Sequence, residues 1–288
     1  MAGDAGYSLS ELLVVVAVTG FLMAAVFTIY EVTQRTTLKA SGSEAALVQA
    51  RAVVDKFGGD FRMAGAAWNY YASPIAAASG TAIVFYGDVD NTLDASYNPV
   101  VLTVSATPAT TQTITVSDIS SITCGTRLTL ANGPIAETHI LPSSGCTSSG
   151  NVINFLSGDT LATSYPAGTL WASSGSLDVT FIYTVETIYW AWAPATGKIC
   201  RKLNTACAAD PTTWDDDTDV IADTVTNFCL TYLDYTGNTL NAGCGSPASG
   251  ALSSIRAVII TVTVAAQSGD QTITRQMELT ARARALIP

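Results

Sequence analysis

A single carboxylate, Glu11, stands at the edge of an apolar segment near the N-terminus. Residues 12–30 contain no Asp, Glu, Lys or Arg. As a helix they would span about 28 Å at 1.5 Å per residue, close to the thickness of the hydrocarbon core of a bilayer. An ionised carboxylate inside that core costs about 2.5–3.5 kcal/mol on insertion scales, so such a residue usually has a function or a cationic partner. The spacing also allows a plain membrane anchor whose acid lies just outside the lipid.

The residues before Glu11 favour the functional interpretation. Gly6 is followed by the large side chain of Tyr7, and Glu11 is the fifth residue after the glycine. This pattern resembles the type IV prepilin signature, although Tyr7 replaces the more usual Phe and the leader has no Lys or Arg. The resemblance implies that a prepilin peptidase cleaves between Gly6 and Tyr7 and methylates the new amino group of Tyr7. Glu11 would then pair with that amino group on a neighbouring subunit and act in assembly.

The composition argues against nucleic acid as a partner. The net charge is −10 and only 12% of the residues are charged, whereas binding to phosphates requires clustered Lys and Arg. Arg127 is the only Lys or Arg between residues 66 and 197. The many Ser, Thr, Ala and Gly residues favour β-structure displayed outside a cell over a cytosolic helical enzyme.

All six cysteines follow residue 120. An even number in the part that would be exported is consistent with disulfides formed in an oxidising compartment, and buried free thiols are the alternative. Six cysteines allow 15 connectivities, of which pairing between sequence neighbours is the simplest. Zinc is not expected, because the chain has no C-x-x-C motif and one histidine, His139. The neighbour pairs are Cys124 with Cys146, Cys200 with Cys207, and Cys229 with Cys244.

The first 65 residues contain no proline and predict one long helix. After the apolar run, apolar residues recur at 3-4-3-4 spacing, which predicts an amphipathic half packed on the following domain. Each glycine weakens a helix by about 1 kcal/mol relative to alanine, so bends are expected at Gly20, Gly42 and Gly58-Gly59. The apolar stripe is Leu47, Ala50, Val54, Phe57 and Phe61, and the polar residues expected off it are Glu44, Arg51, Asp55, Lys56 and Asp60.

The remaining sequence predicts short strands separated by Pro, Gly, Asn and Ser. The clearest hairpin is residues 255–266 with 271–282, and the longest strand is the aromatic and β-branched segment 178–193. The other candidates are residues 81–86, 100–105, 112–116, 122–130, 152–155, 198–203 and 225–235.

Two further regions resemble a branch of the same family. Residues 55–65 end in the motif Asp60-Phe61-Arg62-Met63-Ala64-Gly65. This motif is similar to the C-terminal end of the first helix in PilW-type minor pilins and in J-type pseudopilins of type II secretion. Residues 198–201, 232–237 and 255–262 resemble the same proteins. The predicted fold is therefore α+β and type IV pilin-like, with a long N-terminal helix packed on an antiparallel β-rich head. Its predicted parts are a leader (1–6), a transmembrane or filament-core helix (7–30), the amphipathic half of that helix (31–65), an irregular β-rich part of the head (66–177) and an antiparallel sheet part (178–288).

Two acidic segments are candidates for calcium, which prefers oxygen ligands. Residues 87–94 do not form an EF-hand loop, because Leu93 and Pro99 replace the required Gly and Glu. A solvated acidic turn is the alternative for both segments, and no other cofactor is expected. The candidate ligands are Asp88, Asp90, Asn91 and Asp94 in the first segment, and Asp210, Asp215, Asp216, Asp217 and Asp219 in the second.

Four aromatic residues cluster on the long strand. Alternation places Trp190 and Trp192 on one face and Tyr183 and Tyr189 on the other. Core packing is the simpler interpretation, although one pair could be exposed to bind a sugar, a surface or a partner. With one histidine and no nucleophile elbow, phosphate loop or metal triad, no enzymatic activity is expected.

The resemblance implies a structural subunit, a minor pilin of a type IV pilus, at the tip or in assembly initiation. Its partners would be other pilins and the prepilin peptidase. It would span the bacterial inner membrane once before assembly, and then lie in the periplasm and the extracellular pilus. The alternatives are a J-type minor pseudopilin, with pseudopilins as partners, and an adhesin or binding module held by an uncleaved anchor.

Overall fold

The structure, a computed structural model, describes residues 9–66, 73–88, 100–107, 112–132, 135–167, 180–215, 218–248, 250–268 and 271–283. One α-helix precedes a series of strands in this part of the chain. The elements are α1 (Leu9–Arg62), β1 (Ile75–Ala78), β2 (Ala82–Gly87), β3 (Thr113–Thr115), β4 (Arg127–Asn132), β5 (Ile135–Ile140), β6 (Thr147–Ser148), β7 (Val152–Asn154), β8 (Phe181–Ala193), β9 (Lys198–Leu203), β10 (Val220–Ala222), β11 (Val225–Leu233), β12 (Ala257–Ser268) and β13 (Gln271–Arg282).

The strands form three antiparallel sheets. The largest has the order β1-β2-β8-β4-β5, with β9 paired to β8 and β10 to β9. Strand β8 is shared, because its first half pairs with β4 and its second half with β2 and β9. The second sheet is β11-β12-β13, and the third is the small sheet β3-β7-β6. The fold is therefore α+β, with a 54-residue helix packed against antiparallel sheets.

The C-terminal half of α1 packs on the first two sheets. Ala50, Val53, Phe57 and Phe61 are fully buried, and they belong to one apolar core together with residues of β2, β8 and β11–β13. The ring of Phe57 meets that of Trp190 edge-on at 5.3 Å. This core confirms the amphipathic half predicted by the 3-4 spacing of apolar residues. A second core lies among β3–β8 and their loops, and it includes Leu128, Leu130 and Ile182.

Glycines allow the helix to approach the sheets closely. A Cβ on Gly58 would lie 2.7 Å from Cδ2 of Leu279 on β13. A Cβ on Gly87 would collide with the carbonyl of Met63, just after the end of α1. The N–H of Gly65 donates to the carbonyl of Tyr86 over 2.8 Å, so the helix end is joined to β2. α1 is one continuous helix through Gly20, Gly42 and Gly58-Gly59, and two of these glycines, Gly42 and Gly58, are buried against strands.

Most of the predicted strands are present, but of the candidate 122–130 only residues 127–130 lie in a strand. Four strands, β1, β5, β6 and β10, were not predicted. The hairpin β12–β13 pairs residues 257–268 with 271–282 in continuous register. Residues 198–203 form β9 as predicted, and α1 ends at Arg62 rather than residue 65. The prediction of a strand at residues 100–105 is wrong. Val101 and Leu102 form only isolated bridges, to Phe181 and Val116.

Candidate functional site

In the part of the chain that the structure describes, the N-terminal half of α1 is not packed on the head. Every residue from 9 to 41 is exposed, and the first buried residue of the helix is Gly42. The apolar segment of this half is exposed over its whole length, so α1 is long and apolar enough to cross a membrane. Large apolar side chains such as Phe21, Leu22 and Phe27 are 80%, 62% and 68% exposed. An apolar surface of this extent usually meets lipid or other protein.

Glu11 lies in the first turn of this exposed half. It is the acidic residue of that turn, and the apolar segment follows it directly. The partial positive charge at a helix N-terminus stabilises a carboxylate placed there. Gly6 and Tyr7, the predicted processing residues, lie outside the described residues.

A buried carboxylate of α1, that of Asp60, fixes the helix to the head. Asp60 was expected off the apolar stripe, yet it is 2% exposed. It accepts two hydrogen bonds from the guanidinium of Arg201 on β9, 2.7 Å from Nε to Oδ2 and 3.2 Å from Nη2 to Oδ1. The indole Nε1 of Trp190 donates to Oδ2 over 3.1 Å, and Nζ of Lys56 lies 3.8 Å from Oδ1. The carboxylate is therefore paired and hydrogen-bonded on both oxygens.

This arrangement positions α1 relative to the large sheet. A bidentate guanidinium–carboxylate pair has fixed geometry as well as charge attraction. Trp190 and Arg201 are register partners on β8 and β9, so the two donors reach Asp60 from neighbouring strands. One feature of the sequence could have predicted that Asp60 is buried: it lies three residues after Phe57 and directly before Phe61, both of which belong to the apolar stripe.

Two further polar contacts lie where α1 leaves the head. Gln49 donates from Nε2 to Asp223 Oδ1 over 3.0 Å and accepts from Thr224 Oγ1 over 3.1 Å. Arg275 of β13 donates to the hydroxyl of Ser43 from Nε and Nη2. These contacts mark the end of the head from which the exposed half of the helix emerges.

Three disulfides close loops of the head. Cys124 pairs with Cys146, Cys200 with Cys207, and Cys229 with Cys244, as the neighbour pairing predicted. Together with the apolar N-terminal helix, they indicate a membrane-anchored or exported protein.

The histidine belongs to a buried polar cluster that the sequence did not suggest. His139 is 2% exposed, and its ring stacks on Phe155 at 4.5 Å. Nδ1 lies 2.9 Å from Asp159 Oδ1, and Nε2 lies 3.3 Å from Glu137 Oε1. Glu137 accepts a hydrogen bond from the N–H of Ala162 over 2.6 Å, so the cluster ties the loop after β7 to β5. Burial raises the pKa of the nearby Tyr165 to about 12.

The predicted calcium ligands are only partly described. Asp88 is 4% exposed, while Asp90, Asn91 and Asp94 lie outside the described residues. In the second segment Asp210 accepts from the N–H of Thr212, and Asp219 lies 2.7 Å from Nζ of Lys202. Asp216 and Asp217 also lie outside the described residues. Within the described ranges no three His, Cys, Asp or Glu residues are grouped to hold a metal ion.

The aromatic set on β8 is mainly part of the core. Trp190 is 1% exposed, and Trp192 packs at the edge of the same core. Tyr183 and Tyr189 are half-buried on the other face. Burial raises the pKa of Tyr183, and the negative charge of Asp88 adds to the effect.

A long N-terminal apolar helix packed on antiparallel sheets defines a pilin-like architecture. No family model, no curated protein and no solved structure matches this chain.

Proposed function

We propose that this chain is a minor pilin of a type IV pilus. The observation that carries the proposal is the division of α1 into a half packed on the head and an exposed apolar half with Glu11 in its first turn. In the membrane the exposed half is solvated by lipid. In a filament it is buried against the same half of other subunits.

Processing gives Glu11 its role in this proposal. Cleavage between Gly6 and Tyr7 creates an α-amino group four residues before Glu11 in the sequence. A carboxylate in an apolar surrounding is stabilised by a nearby cation, and the amino group of a neighbouring subunit supplies one. Such a pair fixes the axial register between adjacent helices. The prepilin peptidase and other pilins are the partners that this role requires, and the tip or the initiating complex is the place we assign to it.

The mass of the mature protein tests the processing step. We expect loss of residues 1–6 and addition of one methyl group to Tyr7. Retention of Met1–Gly6 in the protein from its native membrane would instead support the second candidate, an adhesin or binding module on an uncleaved anchor. The disulfide-bonded head favours that candidate equally, so the N-terminus is the decisive measurement.

Substitution of Glu11 tests the assembly step. Glu11→Ala should insert in the membrane and be cleaved normally, yet reach filaments at a tenfold lower level or less. Val48→Ala, which also truncates an exposed residue of α1, is the matched control. Normal incorporation of Glu11→Ala would refute the pairing. A J-type pseudopilin would give the same results as a minor pilin in both experiments. The two are distinguished by their copurifying partners, which would be pseudopilins rather than pilins.

A further inference from the structure

A stretch of α1 with polar side chains lies between the apolar segment and the part of the helix that packs on the head. The uncharged run ends at Tyr30, and the first buried residue is Gly42. Residues 31–41, here called the stalk, are all exposed. At 1.5 Å per residue the stalk is about 16 Å long. It is therefore long enough to hold the head clear of a membrane in which the apolar segment is anchored.

The stalk is rich in residues that weaken a helix. Its β-branched residues are Val32, Thr33, Thr36 and Thr37. Such side chains lose χ1 freedom against the preceding turn of a helix. Most helical order in proteins comes from packing of one helix face against the rest of the fold, whereas the stalk is exposed on every face. Local interactions must therefore hold the stalk helical.

Threonine hydroxyls in the stalk share the carbonyl acceptors of the helix. Each of three hydroxyls donates to the carbonyl four residues earlier: Thr33 Oγ1 to Ile29 over 2.8 Å, Thr36 Oγ1 to Val32 over 2.8 Å, and Thr37 Oγ1 to Thr33 over 3.0 Å. The hydroxyl of Ser41, the last residue of the stalk, donates to the carbonyl of Leu38 over 2.9 Å. Bonds of this kind slightly destabilise a helix and often bend it, because the same carbonyls accept the backbone N–H groups.

Two side-chain contacts support the stalk. Arg35 pairs with Glu31 one turn earlier, and Gln34 Nε2 donates to the hydroxyl of Tyr30 over 2.6 Å. The side chains of the ion pair are 73% and 64% exposed. An exposed pair at this spacing adds little stability, because water and salt screen the charges. These contacts keep the stalk helical at rest without making it rigid.

The helix is held firmly on both sides of the stalk. On the head side, a Cβ on Gly42 would lie 3.1 Å from Cβ of Ser268. Arg275 donates two hydrogen bonds to the hydroxyl of Ser43 in the same region. On the other side, a helix surrounded by lipid cannot open, because its backbone groups would have no water to bind. Bending is therefore concentrated in residues 31–41.

We propose that the stalk is a hinge whose helical hydrogen bonds open transiently, so that the head turns relative to the apolar segment. The hinge requires only that the apolar segment is anchored, and it does not depend on removal of residues 1–6. An extended chain rises about 3.3 Å per residue against 1.5 Å in a helix, so full opening of the stalk adds roughly 20 Å of reach. One anchored chain then presents its head at different angles and heights. In the proposed pilus role, helix and head dock on neighbouring subunits separately.

Amide hydrogen exchange of the full chain in lipid nanodiscs tests the opening of the stalk. The amides of residues 32–41 should exchange about a hundredfold or more faster than those of residues 46–58, which pack on the head. Equal protection of the two segments would overturn the proposal.

A triple variant tests the physical cause of the opening. Thr33→Ala, Thr36→Ala and Thr37→Ala together remove the shared carbonyl bonds and three β-branched side chains, so exchange in the stalk should slow roughly tenfold or more. Val48→Ala, which truncates an exposed β-branched residue of the packed half, is the matched control and should leave exchange in the stalk unchanged. A triple variant that exchanges like the unchanged chain would overturn the proposal.

Distances between two spin labels test the turning of the head directly. One label is attached at Phe21→p-acetylphenylalanine in the apolar segment and the other at Glu278→p-acetylphenylalanine, which is exposed on β13. The distribution of distances in nanodiscs should be about twofold wider, or more, than that of the control pair at Val48 and Glu278, both in the rigid part. An equally narrow distribution would overturn the hinge even if the stalk amides exchange quickly. The intact mass of the same protein reports cleavage after Gly6, so failure of the hinge and failure of the proposed processing are measured separately.

Discussion

Asp60 is the residue at which the helix and the large sheet are joined by charge. A buried ion pair adds little net stability, because the cost of removing both charges from water offsets their attraction. The pair instead fixes the position of α1 on the large sheet, because the two oxygens of Asp60 accept hydrogen bonds from Arg201 and Trp190 on neighbouring strands. Removing only one partner leaves a buried charge uncompensated, which is far more costly than removing both.

We predict that Asp60→Ala lowers the free energy of unfolding of the head by about 3–5 kcal/mol, because the Arg201 guanidinium then lacks its partner. Denaturant titration followed by tryptophan fluorescence measures the loss. Asp55→Ala, at an exposed position of the same helix, should change stability by less than about 0.5 kcal/mol.

The double variant Asp60→Leu with Arg201→Met separates charge from packing. It should recover most of the stability lost in Asp60→Ala, since no unpaired charge remains. A double variant as unstable as Asp60→Ala would show that the ion pair itself stabilises the fold.

The turn around Tyr235 has its own pH dependence. The side-chain hydrogen bond from Thr236, followed by the bonds from Asn238, lowers the pKa of Asp234 below 3.8. The folded state therefore binds this proton less readily than the unfolded chain, and the stabilisation is present above the unfolded pKa and lost as pH falls through the folded value. We predict that Asp234→Asn weakens the fall in melting temperature below about pH 4. Melting curves between pH 2 and 7 would show it, and an unchanged pH profile would contradict it.

At the scale of elements, α1 contains adjacent glycines in different surroundings. A Cβ on Gly59 meets nothing within 4 Å, whereas one on Gly58 lies 2.7 Å from the end of the Leu279 side chain. We predict that Gly59→Ala raises the free energy of unfolding by up to about 1 kcal/mol through helix propensity. In Gly58→Ala this gain should be offset, because Leu279 must rotate away. Melting temperatures of the two variants provide the comparison, and equal stabilisation by both would contradict the close packing.

The elements were predictable where they depend on local periodicity. The 3-4 spacing of Phe57 and Phe61 identified the buried face of α1, and alternation identified the β12–β13 hairpin. Asp60 was not predictable, because the partner that makes its burial possible is 141 residues away in the chain. The segment 100–105 has the composition of a strand, but its backbone bonds go to Thr180 and Thr115 at scattered positions. Such long-range pairing has no local sequence signal.

At the scale of the whole molecule, the two halves of α1 are separable. All core contacts of the helix in the described structure lie at or after Gly42. We predict that removal of residues 1–30 gives a soluble protein with the melting temperature of the intact chain in detergent. Removal of residues 1–54 is the contrasting truncation, and it should prevent folding because Ala50 and Val53 leave the core. Aggregation of the shorter deletion would show that the head depends on the apolar half.

The Cys229–Cys244 disulfide has a mechanical consequence. A tensile load applied at Tyr235 reaches the chain inside the segment that this bond closes. The load passes first along the residues between Tyr235 and each cysteine, and the covalent bridge then joins the two arms at the middle of β11. From there it spreads across the register of β11 with β12, where the backbone hydrogen bonds act together. A reducing agent should therefore lower the force at which this end of the head yields, even where it leaves the resting fold unchanged.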